Sequence, residues 1–323
     1  MTGHRRAMGP TLSILVAIIG ATLCGAPTHA AKKHWGYHET NLWSTGYPDC
    51  KGENQSPIDI KGEEYNPKLG EFKFNGYFKT QTMEFHLTNN GHTAVATLDP
   101  RPSLSTQAGG LPGVYIPHSL HFHWGGDRRT GSEHFINGKQ YPLEMHLVHY
   151  HSSYPNISMA QNQPHGLAVL GVLFEVSETK NKVAEVLFSA LSAIKNQHDV
   201  TTIKSFDVLS MLPADRPYFY RYQGSLTTPP CYESVVWTVF ASPNYISASQ
   251  MDKLRALMHE GEHGATNLIN NYRPLQDIGT RKIYKSFKKL PEKMSLKGAA
   301  DHVTVMWAVA AAMTVIAFAG AKH

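Results

Sequence analysis

The stretch "SLHFHWGG", Ser119 to Gly126, sets His121 and His123 either side of Phe122. Read as a β-strand, residues two apart share a face, so the two imidazoles project together while Phe122 turns to the other side. With 19 histidines in 323 residues, about one His-any-His triplet is expected by chance, so the triplet alone is weak evidence for a metal site. Two occur, here and at His149 to His151. The stretch "LEMHLVHY" supplies His146 on a second strand, with Glu144 two residues before it on the same face. An antiparallel neighbour brings that ring beside the first two. Three neutral imidazoles with one open position are the catalytic form of zinc coordination, whereas a structural site closes with four protein ligands. The plain alternative is three hydrogen-bonded histidines on half-buried strands.

Working outward, "TAVATL", "HSLHFHW", "LAVLGVLFEV" and "SVVWTVF" also have strand character. Alternation is clearest around the histidines, while Leu167 to Val176 is apolar nearly throughout, as expected of a strand buried on both faces. Helices are fewer. Val183, Val186, Leu187, Leu191 and Ile194 recur at helical spacing, and Ser247 with Gln250 forms a capping-box pattern ahead of Met251, Leu254 and Leu257. Clusters of Gly, Pro, Asn and Ser separate the strands by long loops. The pattern predicts a mainly β (α+β) fold, a single domain around a large, mostly antiparallel central sheet with a few surface helices.

The chain ends read differently. Residues 1–30 have a basic start at Arg5 and Arg6, an apolar stretch from Leu12 to Leu23 and small residues around Thr28-His29-Ala30, the pattern of a secretory leader. Val303 to Ala321 is an uncharged apolar run followed only by Lys322 and His323. As a helix it would measure about 28 Å, against a hydrocarbon core of about 30 Å. It reads as a glycosylphosphatidylinositol (GPI) anchor signal, with small residues at Gly298-Ala299-Ala300, or alternatively as a single membrane span. The expected organisation is a leader at 1–30, a folded domain at 31–290, a polar spacer at 291–302 and the apolar segment at 303–323. The expected location is the extracellular face of the cell membrane.

The formal charge of +5 falls to +3 when Arg5 and Arg6 leave with the leader, and no basic stripe interleaves with aromatics. A nucleic-acid partner is therefore not expected, and no obligate protein partner is evident. Cys24 departs with the leader, so Cys50 and Cys231 are left as one disulfide or as two free thiols; an oxidising compartment favours the bridge. Asn156-Ile157-Ser158 is a glycosylation sequon in a polar loop; Asn54-Gln55-Ser56 also fits but is followed at once by Pro57.

Taken in order, "HWGY", "NQSPIDI", "NNGH", "HFHWG", "GSEH", "EMHLVH", "GLAVLG", "SLTTPP", "NYRP" and "KSFK" give the chain a close resemblance to the alpha-class carbonic anhydrases, running from His34 to Lys288. Each motif is short; together they span the domain in the family's order. The resemblance implies a zinc ion (Zn2+) on His121, His123 and His146, and reversible hydration of carbon dioxide to bicarbonate.

It also implies outer partners for the ligands: Glu144 for His146 and the backbone carbonyl of Asn271 for His123. Ser119 departs from the family's usual glutamine. Its shorter side chain needs a water to reach His121, or another residue orients that ring. By the same resemblance Thr227 accepts a hydrogen bond from the attacking hydroxide and donates to Glu133, and His92 shuttles the proton to buffer. Tyr37 and Asn90 line the relay, where Val95 replaces a commonly polar residue and predicts an altered relay. Val148, Val169, Leu226, Val235 and Trp237 form the carbon dioxide wall, with Thr228 bordering the substrate; without the family all five wall residues read as strand core. Secreted and membrane-bound members share the two cysteines.

Two rival classes remain open from sequence. A metal-free binding module of the same fold is opposed by the intact histidine trio. A zinc peptidase is opposed by the absence of the helical His-Glu-any-any-His motif, although a side esterase activity is compatible with the site.

Overall fold

The computed structural model describes residues 34–98, 104–204, 206–261 and 264–291. The expected leader, all but the first residue of the spacer and the apolar C-terminal run lie outside the described residues, as does Cys24. Among the described residues no helix is long and apolar enough to cross a membrane.

A 13-stranded sheet organises the domain. Its main path runs Val200–Lys204, Glu84–Asn89, Ala94–Leu98, Tyr115–Trp124, Leu143–His151, Leu167–Ser177, Val235–Phe240, Phe219–Gly224, Tyr284–Lys285 and Glu64–Tyr65. The strands expected around the histidines are all present, and the mainly β expectation holds. The sheet is mixed, however, rather than mostly antiparallel. Leu167–Ser177 pairs in parallel with Val235–Phe240 and with Asn244–Ser247, and Tyr284–Lys285 pairs in parallel with Glu64–Tyr65. The correction has a physical source: alternation reports which face a residue occupies and carries nothing about strand direction. Parallel pairing settles where both strands are buried on both faces, as Leu167–Phe174 and Val235–Phe240 are.

Strand parity divides the interior. Leu120, Phe122, Met145, Leu147, Leu170 and Val172 face a large core that also takes in Leu187, Phe188, Leu191, Met251 and Leu254. Val148, Val169, Leu173, Val235 and Trp237 face a second cluster on the other side, with Tyr220 and Tyr222. The histidine pair follows the same rule, opposite in direction to Phe122.

Both expected helices form. Ala248–Arg255 starts with the full capping box, the Ser247 side chain accepting from the Gln250 N–H and the Gln250 side chain from the Ser247 N–H; such a cap contributes about 1 kcal/mol. The other starts later than its periodicity suggested, at Glu185–Ala190, and tightens into a 3-10 turn over Leu191–Ile194. Asn181 takes up the first part of that pattern, its Oδ1 accepting from the Val183 and Ala184 N–H groups. Cys50 and Cys231 are bonded, with a Cα–Cα distance of 4.9 Å across 181 residues of sequence, which removes the free-thiol alternative.

Candidate metal centre

Adjacent strands Tyr115–Trp124 and Leu143–His151 run antiparallel, and their register sets His121 opposite His146 and His123 opposite Glu144. Cross-strand neighbours on one face stand about 5 Å apart, so the three rings meet. The Nδ1 of His146 lies 3.3 Å from Nε2 of His121 and 3.1 Å from Nε2 of His123. One nitrogen from each ring falls in a group whose members are all within 4.8 Å of one another.

The remaining nitrogens of two rings are engaged. His123 donates from Nδ1 to the Asn271 carbonyl at 2.8 Å, and His146 donates from Nε2 to Glu144 Oε1 at 2.8 Å. Ser119 does not serve His121 directly: its hydroxyl lies 3.1 Å from Nδ1 of His118 instead. Burial pushes the His123 ring down to about 3, with His146 adding to the effect. Burial likewise lowers His121, helped by its two neighbours, and lowers His146 despite Glu144. All three imidazoles are therefore neutral at pH 7, the form that binds a metal.

A buried network carries Glu144. Its Oε2 accepts from the backbone N–H groups of Glu133 and His134 at 2.9 and 2.8 Å, and its Oε1 lies 2.7 Å from His134 Nδ1. His134 Nε2 then meets the Tyr222 hydroxyl at 2.6 Å, which lies 2.8 Å from Ser56 Oγ. Burial alone would raise the Glu144 carboxyl, but electrostatic attraction to the His134 and His146 rings and the hydrogen bonds they make to it outweigh burial and hold the group well below its usual range. Room for the carboxylate comes from Gly171, where a Cβ would stand 3.1 Å from Glu144 Oε1.

Glu133 is completely buried. Its Oε1 accepts the Arg273 N–H at 2.8 Å, while Oε2 has no hydrogen-bond partner and lies 3.4 Å from His123 Nε2 and 4.0 Å from His146 Nδ1. The Thr227 hydroxyl lies against the same carboxyl. Burial pushes this carboxyl well up; Thr227 and the Arg273 N–H oppose it. A buried carboxyl oxygen left without a hydrogen-bond partner beside the neutral nitrogens of His123 and His146 calls for a positive partner. The donor set fits a zinc ion: three nitrogens, none charged, and no fourth protein ligand in the group.

A family model described as eukaryotic-type carbonic anhydrase matches residues 38–287. The chain belongs to the alpha-class carbonic anhydrases. It is 39% identical over 283 residues to carbonic anhydrase 6 of Bos taurus, covering 84% of this chain and 86% of that protein. Against carbonic anhydrase 12 of Homo sapiens it is 37% identical over 273 residues, covering 82% and 76%. Carbonic anhydrase 6 of Homo sapiens is 38% identical over 282 residues, covering 84% and 89%.

In this carbonic anhydrase Val148, Val169 and Trp237 form a straight row across three neighbouring strands, on the same face as the histidines. Val235 is buried with them, and Leu226 packs against the cluster from the loop that carries Thr227 and Thr228. Trp237 donates from Nε1 to the Ser225 carbonyl at 3.0 Å, fixing the root of that loop. His92 lies half-buried in a turn closed by Asn90, whose Oδ1 accepts the His92 and Thr93 N–H groups at 2.9 Å. Asn90 is thus committed to shaping the turn. Val95 is opposite His121 in register, and Tyr37 has its phenol pushed up by burial and then by the Glu133 charge.

Several residues of the site were not singled out from sequence. His134, Ser56, Arg273 and Trp35 sit inside the quoted motifs, but spacing gave no partner for them. Tyr222 and Gly171 lie on strands read as core. Arg273 donates to Gln55 Oε1 and the Ser56 carbonyl at 2.8 and 2.9 Å and to the Cys50 carbonyl at 3.2 Å, joining the N-terminal segment to the carboxyl beside its own N–H. The second histidine triplet is structural. His149 is buried between the Tyr77 hydroxyl and the Leu147 and Ala168 carbonyls, and His151 bonds to Ser153.

Proposed function

We propose that this carbonic anhydrase holds zinc on His121 Nε2, His123 Nε2 and His146 Nδ1 and hydrates carbon dioxide outside the cell. The observation that carries the reading is the convergence of these three nitrogens within 4.8 Å, beside the unpaired oxygen of Glu133. A zinc ion in such a site supplies a nucleophile at neutral pH by lowering the pKa of water to about 7, a value known from this same enzyme family and not obtained from the geometry here.

The chain's own residues do the rest. Asn271 and Glu144 hold the His123 and His146 rings with their metal-facing nitrogens deprotonated. Thr227 accepts a hydrogen bond from the nucleophile and donates its own hydroxyl hydrogen to Glu133, no proton being transferred, which selects one orientation of attack. Val148, Val169, Leu226, Val235 and Trp237 offer carbon dioxide an apolar wall that needs no charge, with Thr228 at its border. Water and carbon dioxide give bicarbonate and one proton; His92 carries that proton to buffer, along a path lined by Tyr37, Asn90 and Val95.

For the location, a disulfide supports an oxidising compartment. The leader at 1–30 and the apolar run at 303–323 support export followed by anchoring through GPI, with a single span as the second reading. Asn156 is exposed, as a glycan acceptor must be. Stopped-flow hydration assays test the chemistry on purified protein, chelated protein and His146→Ala. Turnover is expected to need one bound zinc and to fall to background in the variant; metal-independent turnover overturns the reading. Release from cells by a phosphatidylinositol-specific phospholipase tests the anchor, and retention favours the span.

A further inference from the structure

Two of the three imidazoles are braced from behind and the third is not. Asn271 and Glu144, both fully buried, accept from His123 and His146. His121 is half-buried and, among the described residues, nothing accepts a hydrogen bond from its Nδ1. The residue placed to do so is Ser119, two positions earlier on the same face. Its hydroxyl is turned to His118 Nδ1 at 3.1 Å and makes no direct hydrogen bond with His121.

A β-bulge explains why. Pro117 pairs with His149 and Ser119 with Val148, so His118 is the extra residue between two consecutive positions of the partner strand. A bulge re-aims the side chains around it, and here it brings the His118 ring to its neighbour's hydroxyl. The bulge also lets Ser119, His121 and His123 share the face of Val148, while His149 turns into the opposite core.

We propose that Ser119, turned toward His118, does not brace His121 and that His121 is consequently the loose ligand of the centre, setting how fast the ion leaves. The inference rests on the zinc reading above. An outer partner fixes a ligand's tautomer and ring orientation and raises its basicity, and losing one costs about tenfold to a hundredfold in metal affinity. A glutamine at position 119 carries its carbonyl oxygen two carbon atoms further out, far enough to accept from His121.

The test is zinc transfer from the loaded protein to excess chelator at pH 7, for the parent, Ser119→Ala and Ser119→Gln. The alanine variant is expected within twofold of the parent, and the glutamine variant about tenfold slower. Faster loss from Ser119→Ala shows that Ser119 braces His121 through water and overturns the inference, as does a folded Ser119→Gln that loses zinc at the parental rate. An independent readout needs no variant. In zinc-loaded protein labelled with 15N-histidine, the ring N–H protons of His123 and His146 should resist exchange with water and that of His121 should not; three protected protons overturn it. A parent that takes up no zinc overturns this inference and the zinc reading together, whereas a loaded parent failing either test overturns this one alone.

Discussion

The His92 imidazole lies flat against the Trp35 indole, with ring centroids 3.8 Å apart and planes 8° from parallel. The Asn271 side chain accepts no share of that stack but donates to the His92 carbonyl at 2.9 Å, so backbone and ring are held separately. The proposed proton carrier is thus supported by an aromatic face from the N-terminal segment.

If His92 moves the proton, it acts after bicarbonate has formed. His92→Ala should lower kcat about a hundredfold in dilute buffer, with kcat/KM unchanged, since general acid–base help of this kind is worth about that much. Added imidazole should restore kcat. Trp35→Ala should shift kcat by only a few-fold, because the indole positions the ring without taking the proton. Equal losses in kcat and kcat/KM for His92→Ala would contradict the assignment.

Glu133→Gln replaces an acceptor beside Thr227 with a group that can donate. The Thr227 hydroxyl is then free to point its proton at the nucleophile, and the oriented attack is lost. We expect kcat/KM to fall about a hundredfold, the scale seen when one oriented polar group is removed from a transition state, with zinc content retained. A variant within twofold of the parent would remove Glu133 from the mechanism.

The Cys50–Cys231 bond closes 181 residues of chain. On a chain-entropy account a loop of that length is worth about 5 kcal/mol, so the Cys50→Ala/Cys231→Ala protein should melt about 10 °C lower or more. Calorimetry on the two proteins, both loaded with zinc, measures the difference.

His149 predicts acid sensitivity. Burial lowers its folded pKa to about 4, against about 6.5 in the unfolded chain. Between these values the unfolded state binds the extra proton, so stability is complete above pH 6.5 and is lost as pH falls toward 4, by up to about 3 kcal/mol. Urea unfolding at pH 7 and pH 5 should show a smaller loss for His149→Gln than for the parent. An identical pH dependence in the two would rule out this source.

The sequence exposes what strand parity controls. His121 and His123 on one face, Glu144 and His146 on the next strand, and the apolar wall at Val148 and Val169 all follow from a period of two. It conceals what depends on register and on chain direction. The link from Glu144 through His134 to Tyr222 and Ser56 joins four distant segments, and no local pattern announces it. The bulge at His118 is one residue of excess that only a partner strand reveals, and it decides which way Ser119 faces. Gly171 reads as a gap in an apolar strand until the Glu144 carboxylate is seen beside it.

The three histidines proposed to hold the metal are rooted on two strands that each have neighbours on both sides and no edge open to water. Backbone amides in such positions tend to exchange with deuterium only when the whole domain opens. The three histidines are therefore not lost by fraying of their own strands, so an ageing preparation declines either by departure of the ion from folded molecules or by opening of the whole domain, and metal content per folded molecule tells the two apart.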